Sequence, residues 1–286
     1  MAIGRALVFR CQLHLAFCGR TPRKAQLRAD AEESTKNYPL AFMFPATTLG
    51  GSGKVVAKQR SMLSTSQDDK ESTVLREMFR NASRGKTDIP WNWWSDIEAG
   101  GGALGAIGSH AIDGFHWFLD TDITEVFCLL KANVKEREDS SRTKPRVTTD
   151  DETNMILKFA DSELTQNASG TASLSVVEAG KYDFNCKIFG TEGSIIVGES
   201  GELWHATIGS NKWEEIEIDL GEAPPNTKAG GWSRGFMNFS REIVAALMDG
   251  KTEIPHAATF EDGWKIQRVL DACRESNETG RMINMS

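Results

Sequence analysis

Hydrophobic and polar positions alternate most cleanly at 182–189, where Phe184, Cys186 and Ile188 interleave with Asp183, Asn185 and Lys187. A period of two predicts a half-buried strand. The run Trp213-Glu-Glu-Ile-Glu-Ile-Asp-Leu220 alternates at Ile216, Ile218 and Leu220 and predicts another over 213–220. Segments rich in strand formers predict strands at 54–63, 123–134, 154–159, 170–177, 194–197 and 202–208. The turn Gly190-Thr-Glu-Gly193 lies where a hairpin needs one. Links this short make most neighbouring strands antiparallel. The period lengthens at 232–248, where Phe236, Phe239, Ile243 and Leu247 share one helical face. A last helix opens at Thr259, with Asp262 three residues on in a capping-box arrangement. It buries Ile266, Val269, Leu270 and Cys273, stops before Gly280, and leads to a final strand at 282–285. The stretch 64–90 is polar and reads as a loop with one short helix around 74–80, and 135–146 reads as an exposed charged loop. The expected fold is α+β: a large, mostly antiparallel sheet with helices packed on one face, an open-faced sandwich.

Charge divides the chain unevenly. The net charge is −7, which argues against a nucleic-acid binder working through a broad basic surface. Residues 1–67 alone carry +7, leaving −14 on the remainder. We therefore separate residues 1–49, an atypical basic segment, from a domain at 50–286. The first 29 residues hold six Lys/Arg and no acid, as a mitochondrial presequence does, but hydroxyl residues are scarce. A truncated or misread gene start is the commoner explanation. Five scattered cysteines fit a reducing compartment, and Cys11, His14 and Cys18 match no zinc spacing. Cytoplasmic placement is expected, with mitochondria the alternative. No apolar run approaches the ~20 residues of a membrane span. Gly50-Gly-Ser-Gly-Lys54 fails the phosphate-loop pattern at Thr48 and Val55.

The chemistry concentrates in Glu98-Ala-Gly-Gly-Gly-Ala-Leu-Gly-Ala-Ile-Gly-Ser-His-Ala-Ile-Asp113. Gly100, Gly101 and Gly102 let backbone or ligand approach closely. A helix expected over 103–119 puts His110 and Asp113, three apart, on one face. Imidazole titrates near neutrality and can take a proton from a hydroxyl, with the carboxylate orienting it. By spacing alone, a helix histidine satisfied by a local carboxylate is the commoner case. Trp93 and Trp94 offer faces that stack on a sugar ring, although tryptophans as often anchor a core. His116 and Trp117 are expected to face the sheet or a subunit contact. Lys265, Gln267 and Arg268 are expected on a solvated helix face, and His205 and His256 have no evident partners.

This segment resembles the second-domain signature of the glucose–fructose oxidoreductase, inositol dehydrogenase and MocA family of NAD(P)-dependent enzymes. Thr149-Asp-Asp151, Gly190-Thr-Glu-Gly-Ser194 and Ala258-Thr-Phe-Glu-Asp-Gly-Trp-Lys-Ile-Gln-Arg-Val-Leu-Asp-Ala272 follow in the family's order. The resemblance spans roughly 50–286 and implies a substrate domain that is often also a subunit interface. It implies NAD or NADP as cofactor, a sugar or cyclitol hydroxyl as substrate, and His110 as catalytic acid/base with Asp113. Trp93, Trp94 and Gly100 to Gly102 would contact substrate. It implies a homo-oligomer through the sheet face, with neither nucleic acid nor membrane as partner, and no metal.

Three features depart from the family pattern. Members begin with a nucleotide-binding domain whose first turn is Gly-x-Gly-x-x-Gly after a strand. No such pattern precedes residue 98, and the Glu-Lys-Pro triplet, whose lysine takes part in proton transfer, is absent. Many members also place an aspartate where Ala106 stands. The residues thus leave two readings: the substrate half of an oxidoreductase, impaired in cofactor binding, or a non-catalytic ligand-binding or oligomerisation module derived from one.

Overall fold

The computed structural model describes residues 74–82, 89–180, 182–198, 202–217, 231–251, 254 and 257–285. The segment 1–49, the strand expected at 54–63 and residues Cys11, His14, Cys18 and His256 lie outside them. Among the described residues nine strands form one sheet: β1 (Val74–Ala82), β2 (Ile123–Lys131), β3 (Glu152–Phe159), β4 (Thr165–Ser175), β5 (Asp183–Gly190), β6 (Gly193–Gly198), β7 (Leu203–Thr207), β8 (Glu214–Glu215) and β9 (Ile283–Asn284). Their spatial order is β8-β7-β6-β5-β1-β4-β3-β2-β9. Every pairing is antiparallel except β1 with β4. Three helices accompany the sheet: α1 (Ser109–Leu119), α2 (Gly231–Met248) and α3 (Phe260–Thr279). This is the α+β architecture the alternation implied.

The sheet's inner face carries the core. Met155, Leu157, Leu174 and Ile188 are fully buried there, and Ile112, Phe115 and Leu119 of α1 and Val269, Leu270 and Cys273 of α3 belong to the same cluster. Each such side chain stabilises the fold by about 1.5–3 kcal/mol relative to exposure. On the other face Leu129 is 55% exposed and Ile156 51%, so the sheet is covered on one side in this region. Phe239 and Ala257 form a separate small cluster with Ile243 and Ile254, whereas Leu247 at the end of α2 is exposed and leaves the expected stripe incomplete.

The helix expected around 74–80 is instead β1, in the middle of the sheet. Its backbone pairs with β4 on one side and β5 on the other, Phe79 opposite both Ala172 and Cys186. Non-local pairing overrides a local pattern that lacks alternation. Three boundaries also move. The strand expected to 134 stops at Lys131, because the Asp151 carboxylate takes the N–H groups of Asn133 and Val134 at 2.8 Å each. Within the described part of 213–220 only Glu214 and Glu215 pair. The run after Gly102 opens with a π-helical turn at Leu104–Gly108 before α1 begins at Ser109.

Helix α3 starts as its sequence implies. The Thr259 hydroxyl accepts from the Asp262 N–H at 3.1 Å, and the Asp262 carboxylate accepts from the Thr259 N–H at 2.6 Å. At the other end Gly280, φ 67°, closes the helix in the left-handed region. Before it ends, the helix covers the open edge of β2: the Ser276 hydroxyl accepts from Cys128 N–H and the Asn277 amide oxygen from Leu130 N–H. Those two donors would otherwise lack a strand partner, since β9 reaches only Glu125 and Val126. Thr259→Ala is expected to lower stability by about 1 kcal/mol, measured by urea unfolding. An unchanged midpoint would mean that α3 is held by packing alone.

Candidate functional site

The site is built from two short turns, a glycine run and the first turns of α1. Asn92 caps the turn Trp93–Ser95 by accepting from Trp94 N–H at 2.9 Å, and Asp96 caps Ile97–Ala99 by accepting from Glu98 N–H at 3.0 Å. Gly100 then reverses the chain with φ 78°. The loop expected to be merely exposed at 135–146 supports this entry. Trp91 N–H donates to the Glu138 carbonyl at 2.8 Å, its indole N–H to Arg146 at 3.3 Å, and largely buried Arg137 reaches the Ile89 carbonyl at 3.1 Å.

Four residues before β3 fasten the whole assembly to the sheet. Thr148 N–H donates to the Ser95 carbonyl at 2.9 Å and its hydroxyl accepts from Ile97 N–H at 3.0 Å. Buried Thr149 donates to the Trp94 carbonyl at 2.7 Å. Asp150 receives Ala103 N–H on its carbonyl at 3.0 Å and Leu104 N–H on its carboxylate at 2.8 Å. The Thr153 hydroxyl donates to the same carboxylate oxygen at 2.6 Å. Burial holds the Asp150 carboxyl above the usual range, against these hydrogen bonds that favour its charged form. Asp151, 3% exposed, secures the end of β2 as described. Thr149 and Asp150 had no assigned role from sequence, although Thr149-Asp-Asp151 ahead of a strand was the signal that marked them.

The glycines divide by what surrounds them. A side chain on Gly101 would strike the carbonyls of Trp93 and Trp94, and one on Gly102, φ 94°, would strike the Asp150 carboxylate. Only Gly100 opens onto free space. The close approach at Gly101 and Gly102 is therefore made by the chain itself. Trp93 and Trp94 meet edge to face with ring centroids 5.6 Å apart. Trp94 packs against the main core, and Trp93 is half-buried. His110 sits half-buried in the first turn of α1, and Asp113, one turn on, is 5% exposed.

Gly100 to Gly105 also spells Gly-x-Gly-x-x-Gly, a coincidence that is informative. In a dinucleotide site such a run follows a strand and presents free N–H groups to a pyrophosphate. Here it follows a 3₁₀ turn, and the N–H groups of Ala103 and Leu104 are taken by Asp150. Asp150 already takes the donors that a phosphate would need. This loop does not fit a dinucleotide. Among the described residues no group of three His, Cys, Asp or Glu is placed to hold a metal ion.

Two further expectations are revised. Gln267 is 7% exposed and donates to Asp271 at 2.8 Å, so it belongs to the packed side of α3. Lys265 and Arg268 keep the outer face expected of them, Lys265 tied to Asp122 at 2.9 Å and Arg268 over the Trp264 ring, 5.0 Å from its centroid. His205 has a neighbour after all, Glu214 at 3.4 Å across the hairpin. His116, expected to face the sheet or a subunit contact, has its Nε2 buried without a hydrogen-bond partner.

The chain is similar to several known proteins. An uncharacterized oxidoreductase, sll0816, of Synechocystis sp. is 25% identical over 207 residues, covering 68% of this chain and 53% of its own length. Glucose-fructose oxidoreductase domain-containing protein 2 of Xenopus laevis is 25% identical over 209 residues, covering 66% and 51%. The chain thus spans about half the length of these relatives. In fold it is similar to an oxidoreductase domain protein from Kribbella flavida, with TM-score 0.68, 22% identity and coverage of 91% of this chain and 69% of that one. Levoglucosan dehydrogenase in complex with NADH gives TM-score 0.66 at 20% identity, covering 84% and 65%. A super-repressor mutant of Gal80p from Saccharomyces cerevisiae gives 0.63 at 13%, covering 90% and 67%. No described helix is long and apolar enough to cross a membrane. The C-terminal alpha/beta domain of the Gfo/Idh/MocA oxidoreductase family matches residues 71–285, and the chain belongs to that family.

Proposed function

We propose that this chain provides the substrate-holding half of an oxidoreductase that acts on a sugar or cyclitol hydroxyl. His110 is the proton acceptor and Asp113 its orienting carboxylate. The observation that carries this reading is the placement of His110 at the start of α1, eight residues past a glycine run that hydrogen bonds to Thr149 and Asp150 fasten on either side, with half-buried Trp93 ahead of it. A base fixed on a helix that is itself anchored to the sheet holds its geometry better than one on a free loop. Neutral imidazole accepts the substrate's hydroxyl proton at Nδ1 or Nε2, and the nearby carboxylate stabilises the imidazolium that forms. Trp93 supplies an aromatic face for the ring, and Gly100 leaves room beside it. The glycine loop itself is closed by Asp150 and contributes no seat for a nucleotide.

The test is a pair of titrations. Sugars and cyclitols, levoglucosan and inositol first, are expected to change the tryptophan fluorescence saturably, and Trp93→Phe to remove most of the change. NADH and NADPH are expected to give no saturable signal at micromolar concentration. Turnover restored by a separately supplied nucleotide-binding domain and abolished by His110→Asn would complete the case. Absence of any sugar or cyclitol binding would overturn it.

The second reading is a non-catalytic module that assembles through the sheet. It is favoured by the open face, where Phe127, Leu129 and Ile156 are neighbours across β2 and β3. A strict monomer in sedimentation would remove this reading and leave the first intact.

A further inference from the structure

The far end of α1 forms a second place where polar groups converge. His116 lies six residues beyond His110, about 9 Å along the helix axis. There the chain encloses a cleft of about 220 Å³, between the C-terminal end of α1, the start of β2 and the outer side of α3. Its floor is apolar, from Ile123, Val269 and Met285, and its polar residues are His116, Asp122, Thr124, Lys265 and Arg268. None of these belongs to the glycine run or to the residues that fasten it.

The two cations are three residues apart on α3 and so point to one side. Each is held in place by one set of contacts and keeps donors in reserve. Lys265 reaches both Asp122 oxygens, at 2.9 and 3.2 Å. Arg268 gives one N–H to the Met285 carbonyl at 2.7 Å, and its guanidinium lies over Trp264. A guanidinium has five N–H donors, so four remain for another partner. Stacking on an indole and anchoring on a carbonyl remove the rotamer freedom that a surface arginine would lose on binding. At the inner wall His116 Nε2 is buried with no hydrogen-bond partner. A buried polar atom in that state is a standing cost, lifted by an occupant or a water it carries.

We propose that this cleft is a binding site for a small oxyanion, a carboxylate or a phosphate, seated on Arg268 and Lys265 with His116 at its inner end. The acidic arm of Asp122 gives a second requirement: the ligand's far side carries a hydroxyl that donates to it. A hydroxy-carboxylate or a sugar phosphate of three or four carbons meets both conditions within the volume. Arg268 selects for planar, two-oxygen recognition and Lys265 adds a point charge. The site is separate from the proposed substrate site, so each can fail without the other.

The experiment uses the full chain with ¹⁵N-labelled histidine and arginine side chains, titrated in turn with malate, glycerol phosphate, inorganic phosphate and chloride. Malate or glycerol phosphate is expected to shift His116 and Arg268 Nε together, saturably, at millimolar concentration or below. Arg268→Ala is expected to weaken binding at least tenfold, and Arg268→Lys to restore it in part. Circular dichroism confirms that both variants remain folded. A preference for malate assigns the carboxylate source, and a preference for glycerol phosphate the phosphate source. Shifts equal to those of chloride, or shifts unaffected by Arg268→Ala, would overturn the site. His110 serves as the internal control, expected to stay unmoved.

Discussion

Acidification through the range between pH 6.5 and pH 4 should cost this protein about 3 kcal/mol of stability through His116 alone. Burial pushes its imidazole down from 6.5 to about 4, with Asp122 opposing and Lys265 reinforcing the shift. The unfolded chain therefore takes up a proton near pH 6.5 that the folded chain refuses until about pH 4. Stability is complete above the upper value and drains away as pH falls toward the lower one. Asp150 acts in the opposite sense. Its raised carboxyl penalises the folded state at neutral pH, and that penalty is relieved on acidification. Urea unfolding across the range is expected to show the loss in the wild type. In His116→Phe, which cannot titrate, most of the slope should vanish. An unchanged slope would mean that His116 is solvated in the folded protein.

Gly102→Ala carries the other large effect. The residue has φ 94°, and a methyl there collides with the Asp150 carboxylate. Left-handed strain in a non-glycine residue costs about 1–3 kcal/mol. Pushing Asp150 aside also loosens its hold on Leu104 N–H, worth about 1 kcal/mol or more for a charged acceptor. A total near 3 kcal/mol is expected by combining these. Gly100→Ala is the comparison: φ is 78° but the space is open, so only the backbone cost remains, about 1 kcal/mol. Thermal unfolding of the two variants separates strain from collision. Equal losses would show that Asp150 yields freely and does not pin the loop.

What could be read from the chain followed from local regularity. Phe184, Cys186 and Ile188 alternate and are buried, and Thr259 with Asp262 caps α3 as the spacing implied. Both signals lie within a few residues. β1 is hidden in the sequence because its pattern has no period and its partners lie roughly a hundred residues away. The site divides in the same way. Its glycine run and His110 stand out in the sequence, whereas the reason for Gly102 is Asp150, 48 positions later, and only folding brings them together. The sequence groups Gln267 with Lys265 and Arg268 on a solvated face, although on the folded helix it lies with buried Ile266 and Leu270.

The position of β1 also bears on how the sheet comes together. β4 and β5 follow one another in sequence but are not neighbours in space, because β1 lies between them. A hairpin of β4 on β5, the quickest pairing open to that stretch, would close the place β1 must occupy. The two strands have to stay about 10 Å apart, two strand spacings, until a segment from far upstream arrives. Completion of the sheet is then an insertion event with a long loop to close, and this chain should fold more slowly than its many hairpins suggest. Until it occurs, the two wings, β5 to β8 and β2 to β4, share no ladder, and each exposes an unpaired edge to any extended peptide nearby.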